Sequence, residues 1–240
     1  MGNLKKPLLT PNQITVSRFV LIFPLFALWF AMPDVTTRTL ICLTFTLIFA
    51  FDAVDGLVAR TYNMGSTFGV YFDPIVDHIS YFALCIMLID AGYLSLWFLF
   101  LIIIRDLLVV FIKQYAAAMN QVIKASFLAK AKAELVSVPL ACLYLMNVVD
   151  ATIQPLILLG IVVYLLSFKY IFKATYEHTV TLRAALVVLA VIFWLRPEEI
   201  ELAVYYETIY TWMTLIAVWG SAALYFWNSW DLLFSESKGV

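Results

Sequence analysis

A bundle of α-helices that crosses a membrane several times is the fold class this sequence predicts. Three observations carry it. Of the 240 residues, 64% are hydrophobic and only 13% are charged, against roughly 25% charged in a soluble globular domain. The hydrophobic residues fall into separate stretches of about 20, the length a helix needs to cross a hydrocarbon core of about 30 Å. The basic residues between those stretches gather on one side, as the positive-inside rule requires.

In chain order, spans are expected near 13–32, 37–59, 70–91, 94–116, 133–150, 153–172, 180–195 and 206–228. The first follows Lys5 and Lys6 in the manner of a signal peptide. Arg18 inside the run, and the lack of a small-x-small cleavage site after it, make it a retained span instead. The second and third carry closely spaced carboxylates. The fourth holds Arg105-Asp106 within apolar sequence. The seventh is the shortest of the eight. Loops are brief and no internal repeat is visible, so residues 1–240 are read as one membrane domain: a six-span core with an extra hairpin. With the N-terminus in the cytoplasm, only Arg38 and Arg196 of the 15 lysines and arginines fall in outer loops. Trp97, Tyr205, Trp227 and Trp230 read as interfacial belt residues. A net charge of −1, with no basic, aromatic-interleaved patch, gives no footprint for nucleic acid. Cys42, Cys85 and Cys142 sit at unrelated spacings in apolar runs and read as packing residues.

The stretch from Asp52 to Asp77 organises the chain. Residues three or four apart share a helix face, so Asp52 and Asp55 point one way, with Gly56 and Ala59 on or beside that stripe. Gly69, Asp73 and Asp77 form a second stripe on the next helix. An aspartate at the middle of a membrane helix costs roughly 2.5–3.5 kcal/mol, and Arg60 is the one basic residue within the stretch. Two divalent cations would neutralise four carboxylates. The small residues beside them would let a bulky phosphate ligand approach the backbone. The alternative reading, a solvated loop of helix-capping aspartates, fits poorly with the Phe, Val, Ile and Leu that surround each one.

The pattern D-x2-D-G-x2-A-R followed by G-x3-D-x3-D resembles the signature of the CDP-alcohol phosphatidyltransferases, integral membrane enzymes of phospholipid synthesis. Asp52, Asp55, Gly56, Ala59, Arg60, Gly69, Asp73 and Asp77 match all eight positions. The resemblance implies transfer of a phosphatidyl group from CDP-diacylglycerol to a polar alcohol, with release of CMP. It implies Mg2+ or Mn2+, two ions, held by Asp52, Asp55, Asp73 and Asp77, with Asp77 also accepting the hydroxyl proton. Gly56, Ala59, Arg60 and Gly69 would lie against the nucleotide. It further implies a homodimer with membrane lipid as surroundings, while the distribution of basic residues puts the active site toward the cytoplasm.

Within that family the chain looks like the phosphatidylglycerophosphate synthase branch, over residues 7–138. Pro11-Asn12, Thr67-Phe68-Gly69, Arg105-Asp106 and the run Ala125-Ser126 to Glu134 carry the likeness. Glycerol 3-phosphate is then the favoured acceptor, with inositol phosphate, serine or choline as alternatives. Arg105, Lys130 and Lys132, with Arg18, supply the positive charge that a phosphorylated acceptor needs beside four aspartates. Departures from the branch pattern are Ala129 for Gly, Ala133 for Thr, Asp106 for Glu and His78 for Lys. A cation transporter would use intramembrane carboxylates too, but those sites sit near the midplane between repeated halves, and neither feature is seen here.

Overall fold

The computed structural model describes residues 10–62, 67–119, 121, 129, 132–133, 135–150, 152–172 and 202–234. Among them the fold is all-helical: α1 (Pro11–Ala31), α2 (Val35–Tyr62), α3 (Thr67–Asp90), α4 (Leu96–Ala118), α5 (Val138–Val148), α6 (Gln154–Phe172), α7 (Leu202–Asn228) and the short α8 (Trp230–Phe234). Helices close to the expected bounds stand at the described spans other than 133–150. The span expected at 180–195 lies outside the described residues.

Local chemistry sets the helix ends. A capping box opens α1: Thr10 Oγ1 accepts from the Gln13 backbone N–H, and the Gln13 side chain accepts from the Thr10 N–H. Asp34 caps α2 by accepting from Thr37 N at 2.8 Å, and that bond, with the Thr37 hydroxyl, holds its carboxyl below the usual range. Gly92, at φ +84°, ends α3 in a Schellman turn. Tyr93 N donates to Leu88 O and Gly92 N to Ile89 O, a geometry in which a Cβ would be strained.

The expected span at 133–150 is broken. A turn at 136–137 precedes α5, which has only 11 residues. Pro139 is the physical reason, because it lacks the N–H that would bond Leu135 O one turn back. Tyr210 of α7 donates its hydroxyl to that Leu135 carbonyl at 3.1 Å, and Tyr206 donates to Pro139 O at 2.8 Å. At the other end the buried Gln154 side chain donates to Met146 O. A short helix without its own continuous ladder is thus held by its neighbours. It is buried along Val138–Met146 and packs against α2, α3, α6 and α7.

The main core runs through Trp29, Phe45, Leu84, Met87, Leu140 and Leu143. Arg38 and Trp29 both donate to Asp90 Oδ2, at 2.8 and 2.9 Å, and the guanidinium stacks 4.6 Å from the indole. That cluster ties the end of α1, the start of α2 and the end of α3 together. Contacts between the starts of α1 and α3, described below, make those two helices parallel, with α2 returning between their ends. Asn12–Ala31, Phe72–Asp90 and Tyr206–Asn228 are long and apolar enough to cross a membrane. Large apolar side chains face outward, among them Val20, Phe23, Trp97, Leu107 and Ile216. An outward apolar shell of this extent belongs to a protein solvated by lipid.

Candidate active site

On α3, Gly69, Asp73, Asp77 and Tyr81 recur every four residues and so form one stripe. Gly69 is buried. The start of α1 lies against this stripe and presents Thr15 and Arg18, themselves one turn apart. Thr15 Oγ1 donates to Asp73 Oδ1 at 2.8 Å, and Arg18 Nη2 donates to Asp77 Oδ1 at 2.9 Å. Thr15 and Arg18 are buried, whereas the Asp77 side chain is 42% exposed. A buried guanidinium needs counter-charge, and among the described residues Asp77 supplies some of it. The two α1 donors fix how both carboxylates are turned.

Asp52, Asp55, Gly56, Ala59 and Arg60 all lie on the unbroken helix α2. Its side chains from residue 50 onward are outside the described residues. The backbone still sets their level. Asp52 stands ten residues before the end of α2, and Asp77 ten residues after the start of α3. Asp55 and Asp73 stand seven and six residues from those ends. At about 1.5 Å of rise per residue, the two carboxylate-bearing stretches come to similar depths at one end of the bundle. Among the described residues no group of three or more metal-ligating side chains occurs. The donor set fits a hard cation nonetheless: it is carboxylate oxygen throughout, and the two aspartates that are described are oriented by hydrogen bonds.

One helical turn beyond Asp77 a second polar cluster centres on Asp106 of α4, which is buried. Lys132 Nζ donates to both its oxygens at 2.9 and 3.0 Å, and Arg105 Nη1 donates to Oδ1 at 2.8 Å. His78 Nε2 lies 3.3 Å from Oδ2. Lys132 also donates to Tyr81 Oη at 3.0 Å. Arg105 turns its other nitrogens to α7, donating to Val218 O at 3.1 Å and to Ser221 Oγ. A cavity of about 210 Å³ opens between this cluster and the aspartate stripe. Asp77, His78, Tyr81, Lys132, Ser137 and Tyr164 are its polar lining.

Of the residues singled out from sequence, Arg18 meets Asp77 directly, and Asp73 stands one turn away on the same stripe, held by Thr15. Lys132 and Asp77 share the cavity. Arg105 does not line it and instead meets Asp106 and α7. Lys130 lies outside the described residues. Sequence reading passed over Thr15 as a partner for Asp73, Tyr81 as a partner for Lys132, and Ser221. Tyr81 carried a signal, since it extends the Gly69-Asp73-Asp77 spacing by one more turn. Thr15 and Ser221 are ordinary small polar residues in apolar helices, and only the fold distinguishes them.

The described part of the site is a pair of aspartates on one α3 stripe, held by Thr15 and Arg18 of α1, beside a cavity that Asp77 and Lys132 both line. The chain belongs to the CDP-alcohol phosphatidyltransferase family, whose sequence model matches residues 8–168. It is similar to CDP-diacylglycerol–glycerol-3-phosphate 3-phosphatidyltransferases. The protein of that name from Rickettsia typhi is 33% identical over 122 residues, covering 51% of this chain and 68% of the relative. The one from Bacillus subtilis is 28% identical over 134 residues, covering 51% and 69%.

Proposed function

We propose that this protein transfers the phosphatidyl group of CDP-diacylglycerol to a primary hydroxyl of glycerol 3-phosphate and releases CMP. The acceptor hydroxyl oxygen bonds to the β-phosphorus, the bond from that phosphorus to the CMP oxygen breaks, and the hydroxyl proton passes to a site carboxylate. The observation that carries this reading is the cavity where Asp77 and Lys132 line the same space. One group accepts a proton and the other attracts an anion. Relatives named for the same reaction support it.

In this reading Asp77 takes the proton, and Arg18 holds its carboxylate in place. Asp52, Asp55, Asp73 and Asp77 would hold Mg2+ or Mn2+, two ions. When bound, the metal screens the diphosphate and the charge that builds on departing CMP. Gly56, Ala59 and Gly69 leave room for the nucleotide beside the helices, with Arg60 near its phosphates. Lys132, Lys130 and Arg105 supply the positive field for the acceptor's own phosphate. The same proposal includes a multi-pass domain over residues 1–240, carboxylate ends toward the cytoplasm, and a homodimer.

Purified protein given CDP-diacylglycerol and a panel of acceptors tests it, with CMP and the lipid product both measured. Glycerol 3-phosphate should be preferred over serine, choline and unphosphorylated inositol. Preference for a neutral or zwitterionic acceptor would overturn the acceptor assignment. Absence of CMP release with every acceptor would overturn the transferase itself.

A further inference from the structure

Lys132 is the cation of the cavity, yet its N–H groups already have protein acceptors. Two go to Asp106 Oδ1 and Oδ2, at 3.0 and 2.9 Å, and another goes to Tyr81 Oη at 3.0 Å. An ammonium has three donors and no acceptor, so these bonds use all of it. For the tyrosine the same bond has the opposite consequence. A phenol both donates and accepts, and Lys132 engages only its accepting side. The Tyr81 proton is left to donate, and among the described residues no acceptor meets it. Tyr81 is buried and lines the cavity with Lys132 and Asp77. It stands one turn after Asp77 on the same face of α3, about 5–6 Å away between Cβ atoms. Lys132 Nζ also lies 4.4 Å from the centre of the tyrosine ring, so the positive charge sits beside the phenol. A buried donor left without an acceptor is costly, and an anion entering the cavity would supply one.

We propose that Tyr81 is an acceptor-binding residue whose hydroxyl donates to a phosphate oxygen of glycerol 3-phosphate, with Lys132 acting from behind it. The proposal rests on the acceptor assignment above and deepens it. Lys132 keeps its bonds to Asp106 and contributes as a fixed charge that makes the phenol a stronger donor. Asp77 and Tyr81 share one helix face, so α3 alone would place both the reacting hydroxyl and the phosphate of a small acceptor.

Tyr81→Phe separates this arrangement from direct binding by the lysine. The change keeps the ring beside Lys132, removes the phenol donor and releases one lysine N–H. KM for glycerol 3-phosphate should rise by about ten- to a hundredfold, while KM for CDP-diacylglycerol stays within about threefold of wild type. If Lys132 instead binds the phosphate itself and the tyrosine only props it, the released N–H leaves KM for glycerol 3-phosphate unchanged or lower. That result overturns the proposal, as does a loss of kcat with no split between the two KM values. Where Tyr81→Phe yields too little folded protein for kinetics, a fluorinated tyrosine in place of Tyr81 gives a second reading. Its fluorine NMR resonance should move on adding glycerol 3-phosphate and stay on adding glycerol; an unmoved resonance overturns the proposal. Either failure in an enzyme that uses glycerol 3-phosphate leaves the reaction intact. A wild type that transfers only to unphosphorylated alcohols overturns the acceptor assignment, and this proposal with it.

Discussion

Replacing Asp106 by asparagine removes the carboxylate that Lys132 and Arg105 share, at nearly unchanged shape. The side chains involved are 4% exposed for Asp106, 6% for Arg105 and 7% for Lys132. An exposed ion pair is worth about 0–1 kcal/mol, whereas breaking a buried one by removing a partner costs about 3–5 kcal/mol. The burial places Asp106 in the second class. For a chain of this size each kcal/mol lowers Tm by about 2–4 °C, so Asp106→Asn should melt about 6–20 °C below wild type. Lys132→Met alone leaves Asp106 with Arg105 and should cost less. Combining the two removes one cation along with the anion, so the double variant should lose at least about 1 kcal/mol less than the sum of the singles. Thermal unfolding in detergent, followed by tryptophan fluorescence, measures all three. An Asp106→Asn protein within about 4 °C of wild type, or a strictly additive double variant, would refute the claim that this cluster is a buried, mutually compensating set.

Other outcomes follow from the same contacts. Asp73→Asn and Asp77→Asn should each lose transfer activity beyond rescue by extra substrate, and chelator should abolish wild-type turnover until Mg2+ or Mn2+ is returned; full turnover in chelator would sink the metal assignment. Tyr210→Phe leaves the Leu135 carbonyl without the tyrosine donor and should cost about 1–3 kcal/mol of stability. In a Pro139→Ala background, where the restored N–H can bond that carbonyl, the same change should cost much less; equal losses in both backgrounds would disprove the patch. A cysteine at Asp34 should be labelled by a membrane-impermeant thiol reagent only from outside intact cells, and one at Gln121 only from the cytoplasmic side. Native background should be low because Cys42, Cys85 and Cys142 are all buried. Reversed labelling would invert the proposed orientation.

Helix positions were readable from apolar length and from four-residue spacing, because both are properties of a single helix. The Gly69-Asp73-Asp77 stripe is such a property, and its carboxylates do face one neighbour, α1. Which side chains that neighbour brings is not, since Thr15 and Arg18 lie 58 and 59 residues from their partners. Hydropathy also reads straight through Pro139, because a missing N–H does not alter apolar content. It breaks the expected 133–150 span all the same. Arg105 shows the limit most clearly. In sequence it is a costly charge that either an acceptor phosphate or the adjacent Asp106 could meet, and in the fold Asp106 does, joined by Ser221 and the Val218 carbonyl, which sequence did not point to. Ser137 and Tyr164 of the cavity lining give no signal at all, because a serine before a proline-started helix and a tyrosine in an apolar one are both commonplace.

Arg105 and Asp106 being neighbours has a consequence for biogenesis. The partners of this pair on later helices lie 26 residues downstream, at Lys132, and 116 residues downstream, at Ser221. At about 5–20 residues per second, Lys132 leaves the ribosome about 1–5 s after Asp106, and Ser221 about 6–23 s after Arg105. For that interval α4 is without these later donors, and His78 of the earlier α3 is the described side chain that can reach Asp106. Because the arginine donates to the very next side chain, the nascent helix brings its own counter-ion and reaches the lipid boundary as a dipole instead of two separate charges. Moving the aspartate elsewhere in the cluster could preserve the finished network and still strand α4 at the moment of insertion.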